Sequence, residues 1–160
     1  MKTMIKHILG DVYLCVSNRA FRLGKMVWLT VNTRSRFISF ILRKRLNRKE
    51  HIEIGDNVKI GNDIWLPHPY AIVLGNGSII GKKCKIYHEV TLGQNKGQYP
   101  TVKDNVIIYP GAKIVGGIII GENSIIGANS FVNSDVPANA VVGGIPAKIL
   151  KYRGDENEFY

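Results

Sequence analysis

The stretch Ile114-Val-Gly-Gly-Ile118-Ile-Ile120-Gly-Glu-Asn-Ser124-Ile-Ile126-Gly-Ala-Asn-Ser130-Phe-Val132 repeats itself every six residues. An aliphatic side chain opens each unit at Ile114, Ile120, Ile126 and Val132, and a small or aliphatic one follows four positions later at Ile118, Ser124 and Ser130. Working outward, the same phase takes in Ile54, Ile60 and Leu66, then Leu74, Ile80, Ile86 and Leu92, then Val102 and Ile108. The register slips twice, by two residues between Leu66 and Leu74 and by four between Leu92 and Val102. A period of six is neither the 3.6 of a helix nor the alternation of a two-faced strand. It fits a short strand plus a tight turn, with three units closing one coil of a triangular parallel β-helix whose β-branched residues stack inward. The glycines after the opening aliphatic, such as Gly55, Gly61 and Gly81, and the pairs Asp56-Asn57 and Glu122-Asn123, read as corner residues. A β-sandwich would not hold one phase for about 80 residues.

The 160 residues suit one domain with an adequate core, and the formal charge of +10 is unevenly placed. Residues 1–50 carry 12 Lys/Arg against Asp11 and Glu50, whereas residues 51–160 balance 10 Lys/Arg with 10 Asp/Glu. A coat for nucleic acid would be basic throughout. Cys15 and Cys84, with no CxxC and no neighbouring histidines, predict neither a disulfide framework nor a zinc site, and no metal is expected. Gly10 and Asp11 interrupt any secretory h-region, and no apolar run nears the ~20 residues of a spanning helix. A soluble, cytoplasmic setting is expected.

Residues 8–46 lack the six-period and read as helix, interrupted near Ser17-Asn18 and Asn32-Thr33. Phe37, Ile38, Ile41, Leu42 and Leu46 are expected on one face, with Arg34, Arg36, Arg43, Lys44, Arg45, Arg48 and Lys49 on the others. Two uses stay open: peripheral contact with an anionic membrane through residues 1–50, or a cap on the open end of the solenoid that also joins subunits. Nucleic acid is not an expected partner, for want of any motif. The chain therefore divides into a basic helical segment (1–50), a β-helix (51–148) and a polar tail (149–160).

Two histidines share one step of the repeat. His68 is third in the unit opened by Leu66, and His88 is third in the unit opened by Ile86. With the two-residue slip removed, they lie one full coil apart and emerge from one face, about 5 Å apart in the stacking direction. Acyl transfer to a hydroxyl needs a base, and imidazole both accepts and donates near neutral pH. His68 also sits on an insertion, where function tends to lie. His7 and His51 read as structural or solvated.

The segments Leu66-Pro-His68-Pro-Tyr-Ala-Ile-Val-Leu-Gly75, Val90-Thr-Leu-Gly93, Tyr109-Pro-Gly-Ala-Lys-Ile114, Ile126-Gly-Ala-Asn-Ser130 and Gly143-Gly-Ile-Pro-Ala-Lys148 resemble the hexapeptide-repeat acyltransferases, in particular their serine acetyltransferase-like branch. The resemblance covers roughly five-eighths of the chain. It implies an all-β, left-handed parallel β-helix behind the helical segment, acetyl-CoA as acyl donor, and a homotrimer with sites between subunits. It implies His68 as the catalytic base and Glu53, fifteen residues upstream where the family has Asp, as its orienting carboxylate. His88 has two open readings, a residue that positions the acceptor or shares the proton, and an ordinary outward residue of the coil. Gly93, Gly127, Ala128 and Lys148 match positions that line the coenzyme site. Where serine acetyltransferases carry an Arg-His pair before a loop proline, Pro100 here is preceded by Gln98 and Tyr99, and the acid before the catalytic histidine is Pro67. On that ground the expected acceptor is a saccharide hydroxyl, on a polysaccharide or its lipid-linked precursor. The alternatives are serine O-acetylation in cysteine biosynthesis and a non-catalytic scaffold.

Overall fold

The computed structural model describes residues 19–154. His7, Cys15, the helix expected over residues 8–18 and the tail residues 155–160 lie outside the described residues.

Two helices come first, α1 (Arg19–Asn32) and α2 (Arg36–Glu50), and α1 ends where the break near Asn32-Thr33 was expected. The Ser35 hydroxyl caps α2 by accepting from the Ile38 N–H (3.3 Å), and His51 closes it in the left-handed conformation (φ 54°). Thirteen short strands follow in a rising coil. β1 (Glu53–Ile54), β3 (Val73–Leu74), β6 (Thr91–Gly93), β9 (Lys113–Val115) and β12 (Phe131–Val132) form one parallel sheet. A second holds β2 (Lys59–Ile60), β4 (Ile79–Ile80), β7 (Thr101–Val102) and β10 (Ile119–Ile120). The third holds β5 (Lys85–Ile86), β8 (Ile107–Ile108), β11 (Ile125–Ile126) and β13 (Ala140–Gly144). The expected parallel solenoid behind a helical segment is therefore the fold.

The six-residue phase is the packing phase. Ile54 pairs with Leu74, Leu74 with Leu92, Leu92 with Ile114 and Ile114 with Val132. On the other sheets Ile60, Ile80, Val102 and Ile120 align, as do Ile86, Ile108, Ile126 and Val142. All but Ile54 are buried, and each such side chain contributes about 2 kcal/mol relative to leaving it in water. The residues four positions on, including Val58, Ile64, Ser78, Cys84, Val90 and Ala112, are buried as well. Burial pushes the Cys84 thiol up to about 11, so it is an inert core group.

The repeat glycines have a different cause from the one expected. Gly55, Gly61 and Gly81 do not hold positive φ; a Cβ on any of them would meet the backbone of the next coil, as at Gly61, where Gly81 C and Lys82 N would lie 2.8 Å away. Their role is to let coils stack. Left-handed corner positions are held by Asp63, Ala71, Lys83, Glu89, Asn105, Asn123, Asn129 and Asn139 and by Gly77 and Gly111; Asp56-Asn57 form the turn between β1 and β2 as expected, but without positive φ.

The helices cap the first coil. Leu23 and Val27 of α1 and Leu46 of α2 join the coil's core, and Gly24 lets α1 lie directly on the Ile64 carbonyl. Arg43 ties α2 to β1 through the carbonyls of Ile54 and Gly55 (3.0 Å to the latter). The apolar residues of α2 do not share one face: Leu46 is buried and Leu42 half-buried, while Phe37, Ile38 and Ile41 are exposed. Only the arc turned toward α1 and β1 finds a partner. The tail also differs from expectation, because β14 (Ala147–Tyr152) folds back antiparallel on β13, pairing Gly143 with Lys148 and Ala140 with Tyr152. A parallel solenoid leaves its last strand with an open edge, and this return strand covers it. No helix among the described residues is long and apolar enough to cross a membrane.

Replacing Gly24 by Val should cost about 2 kcal/mol by prising α1 from the Ile64 carbonyl. Urea unfolding, compared with the exposed control Lys25→Ala, measures it.

Candidate functional site

Register brings the two histidines together as their spacing predicts. Trp65 bridges Lys85, so His68 and His88 hold the same register step on successive coils, with ring centroids 6.2 Å apart and an interplanar angle of 75°. Both occupy the corner that leads from the third sheet to the first. On the lower coil this corner runs Pro67-His68-Pro69-Tyr70-Ala71, and on the next only Tyr87-His88-Glu89, so Pro69 and Tyr70 are the two inserted residues. Backbone bonds staple the corners into a column: Ala71 N–H to Glu50 O (3.1 Å), Glu89 N–H to Tyr70 O (2.9 Å), Gly111 N–H to His88 O (3.0 Å) and Asn129 N–H to Pro110 O (2.8 Å). The insertion leaves the His68 side chain exposed, while His88 is half-buried.

The His88 ring is asymmetric. Its Nδ1 is sealed beneath the chain with no hydrogen-bond partner, whereas Nε2 is not. An unpaired N–H buried there, or a buried imidazolium, costs more than a bare ring nitrogen. A proton on Nε2 leaves only a bare nitrogen at the sealed position and turns a donor outward, beside the exposed imidazole of His68.

A second column lies one residue earlier in the repeat. Tyr87 and Tyr109 stack at 5.3 Å and 22°, and the Tyr87 ring is 6.1 Å from His68. Sequence reasoning did not single out these tyrosines, although they hold the same step of the register as Pro67 and Gly127. Beyond Tyr109 the side chains shrink: Gly127 and Gly143 continue the one column, with the Leu150 side chain packed over Gly143, and Ala128 and Gly144 continue the other. A Cβ on Gly127 would stand 3.1 Å from Val142 O and 3.4 Å from Ser130 Oγ, a buried hydroxyl with no partner. The result is a backbone-floored shelf, with Lys148 exposed across the hairpin from Gly143. A narrow chain bearing hydrogen-bonding groups, ending in a phosphate, fits such a shelf.

Not every expected residue gathers here. Gly93 ends β6 on the far side of the first sheet, against Val115. Glu53 is exposed on β1, its N–H donating to Ile72 O (2.8 Å) on the strand that continues from the His68 corner. Among the described residues no hydrogen bond or ion pair joins Glu53 to His68. The neighbouring Glu50 carboxylate is paired with Arg19 at 2.5 Å.

The four-residue slip forms a hairpin. Asn95 and Gln98 exchange both backbone bonds (3.0 Å each) around Lys96-Gly97, which both have positive φ, as a type I′ turn requires. Its base is clamped to the coil, because the Tyr99 ring fills the space above Gly75 and Gly77 and the Gln98 side chain that above Gly117. Gln98 and Tyr99 thus have a packing role.

A family profile described as "Bacterial transferase hexapeptide (six repeats)" matches residues 99–134. The serine acetyltransferase of Buchnera aphidicola subsp. Schizaphis graminum is 35% identical over 144 residues, covering 87% of this chain and 54% of that protein. The soybean serine acetyltransferase apoenzyme superposes with a TM-score of 0.76 at 30% identity, over 86% of this chain and 60% of that one. A serine acetyltransferase solved in complex with CoA gives 0.74 at 33% identity, over 82% and 57%. The chain spans about half the length of the curated relatives it matches. These likenesses overturn the expectation of a saccharide acceptor. That expectation rested on Gln98, Tyr99 and Pro67; the first two are accounted for by how the hairpin seats on glycines, so their identity does not report on the acceptor. The chain carries the hexapeptide repeat of the bacterial transferases on a parallel β-solenoid, and over most of its length it is similar to serine acetyltransferases.

Proposed function

We propose that this chain is an acetyl-CoA-dependent O-acetyltransferase whose acceptor is the hydroxyl of serine. The observation that carries the reading is the His68–His88 pair on one corner, beside the small residues Gly127 and Ala128, in a chain similar along most of its length to serine acetyltransferases.

His68, exposed and close to the Tyr87 ring, takes the hydroxyl proton as the serine oxygen attacks the thioester carbonyl. The C–O bond forms, the tetrahedral intermediate collapses, the C–S bond breaks, and the thiolate recovers the proton from the imidazolium. Glu53, unpaired among the described residues, is the proposed partner that orients His68 and stabilises its charged form. His88 donates from Nε2 to the bound acceptor or to the developing oxyanion. Gly127 and Ala128 let the pantetheine chain approach backbone amides, and Lys148 meets a phosphate. The proposed functional unit is a cytoplasmic homotrimer. In support, Ile79 and Ile119 stand exposed along the outer face of the second sheet, the kind of apolar row a neighbouring coil would cover.

With serine and acetyl-CoA, His68→Ala should lower kcat by about 10²- to 10⁴-fold, and Glu53→Gln by a smaller factor, with binding of CoA retained. Full activity in His68→Ala would sink the mechanism. His88→Gln, whose amide nitrogen reaches the place of Nε2, should keep most activity, and His88→Asn should not. Light scattering should give a mass three times the 17.8 kDa chain.

A further inference from the structure

The described part of the basic segment, residues 19–50, has ten Lys/Arg and one acid, Glu50. Part of that charge is absorbed internally: Arg19 pairs with Glu50, and Arg43 is turned onto the Ile54 and Gly55 carbonyls. Arg36, Arg45, Arg48 and Lys49 are exposed, with no carboxylate in ion-pair range among the described residues. They share the outward side of α2 with Phe37 (72% exposed), Phe40 (54% exposed), Ile38 and Ile41, and Leu29 of α1 is exposed as well. Helical spacing explains the shared side. Phe37, Ile41, Lys44 and Arg48 follow at intervals of four and three, so one ridge begins apolar and ends cationic. The Lys44 ammonium leans over the Phe40 ring at 4.6 Å. The inner arc of the same helix is already used, with Leu46 and Glu50 buried against α1 and the first coil.

We propose that this outward ridge of α2 docks the protein on an anionic lipid surface, with Phe37, Ile38, Phe40 and Ile41 entering the interface and Lys44, Arg45, Arg48 and Lys49 meeting the headgroups. Charge decides the occupant. A second copy of this ridge would bring two unbalanced sets of cations face to face, and residues 51–160 carry no net charge, so neither supplies a net negative surface. An anionic bilayer supplies both an apolar interior for the aromatic rings and negative charge for the rim. The proposal concerns where the molecule sits and stands whether or not serine is its acceptor.

The full chain is sedimented with vesicles of phosphatidylcholine alone and of phosphatidylcholine mixed with phosphatidylglycerol. At least ten-fold more protein should pellet with the anionic vesicles, and 0.5 M salt should release most of it, as screening demands (about 4 Å Debye length). Phe37→Ser with Phe40→Ser, and separately Lys44→Glu with Arg48→Glu, should each reduce binding several-fold with unchanged circular dichroism and unchanged mass by light scattering. Equal sedimentation with both vesicle types, or none, overturns the proposal. So does a fall in oligomeric mass in the Phe37→Ser, Phe40→Ser variant, which would make the ridge a contact between subunits.

Discussion

Every coil of this solenoid rests on its neighbour through backbone, and that contact conditions everything above it. Gly55, Gly61, Gly81 and Gly121 each occupy a point where a Cβ would fall within 3 Å of the next coil's main chain. With those points clear, parallel strands pair at the usual spacing, and an unbroken ladder of Ile, Leu and Val closes inside the triangle. The interior is then filled by side chains of nearly one size, which suits a core that must look alike at every level. Because the coil is fixed by stacking, residues added to one turn are taken up at a corner and leave the strand ladder unchanged. Pro69-Tyr70 and the hairpin after Gly93 are those two additions.

The candidate site follows from the first of them. A normal corner of three residues half-buries the third-position side chain, as at His88; the longer corner carries His68 clear of the surface one level below. The two imidazoles are thereby held in one column in unlike surroundings, one open to solvent and one with a nitrogen sealed against the chain. Unlike surroundings are what separate the roles of two chemically identical groups. Above them the tyrosine stack ends and small residues take over at Gly127 and Ala128, so two imidazoles and a strip of small residues share one edge.

The helical cap divides its sequence between two tasks. Leu23, Gly24, Val27 and Leu46 shut the first coil, and the amino-acid composition of the remaining surface is thereby left free of packing duty. Most of the excess charge lies on these helices, where residues 19–50 carry ten Lys/Arg against Glu50, while residues 51–160 balance to zero.

Much of this was legible before any coordinates. The six-residue phase placed the inward ladder, the slips marked both additions, and counting units put His88 over His68, because in a solenoid one coil is a fixed number of residues and sequence distance converts directly into height. The helix break near Asn32-Thr33 was visible for the ordinary reason that Asn and Ser favour caps and turns. What only the tertiary structure decided was whatever depends on a neighbour from another coil or element. The repeat glycines serve stacking and not φ; Tyr99 and Gln98 fill space above distant glycines; Leu150 and its strand return to cover an edge; and α2 exposes Phe37 because α1 and β1 reach only its other side. Each of these is a contact between residues whose separation no local period encodes.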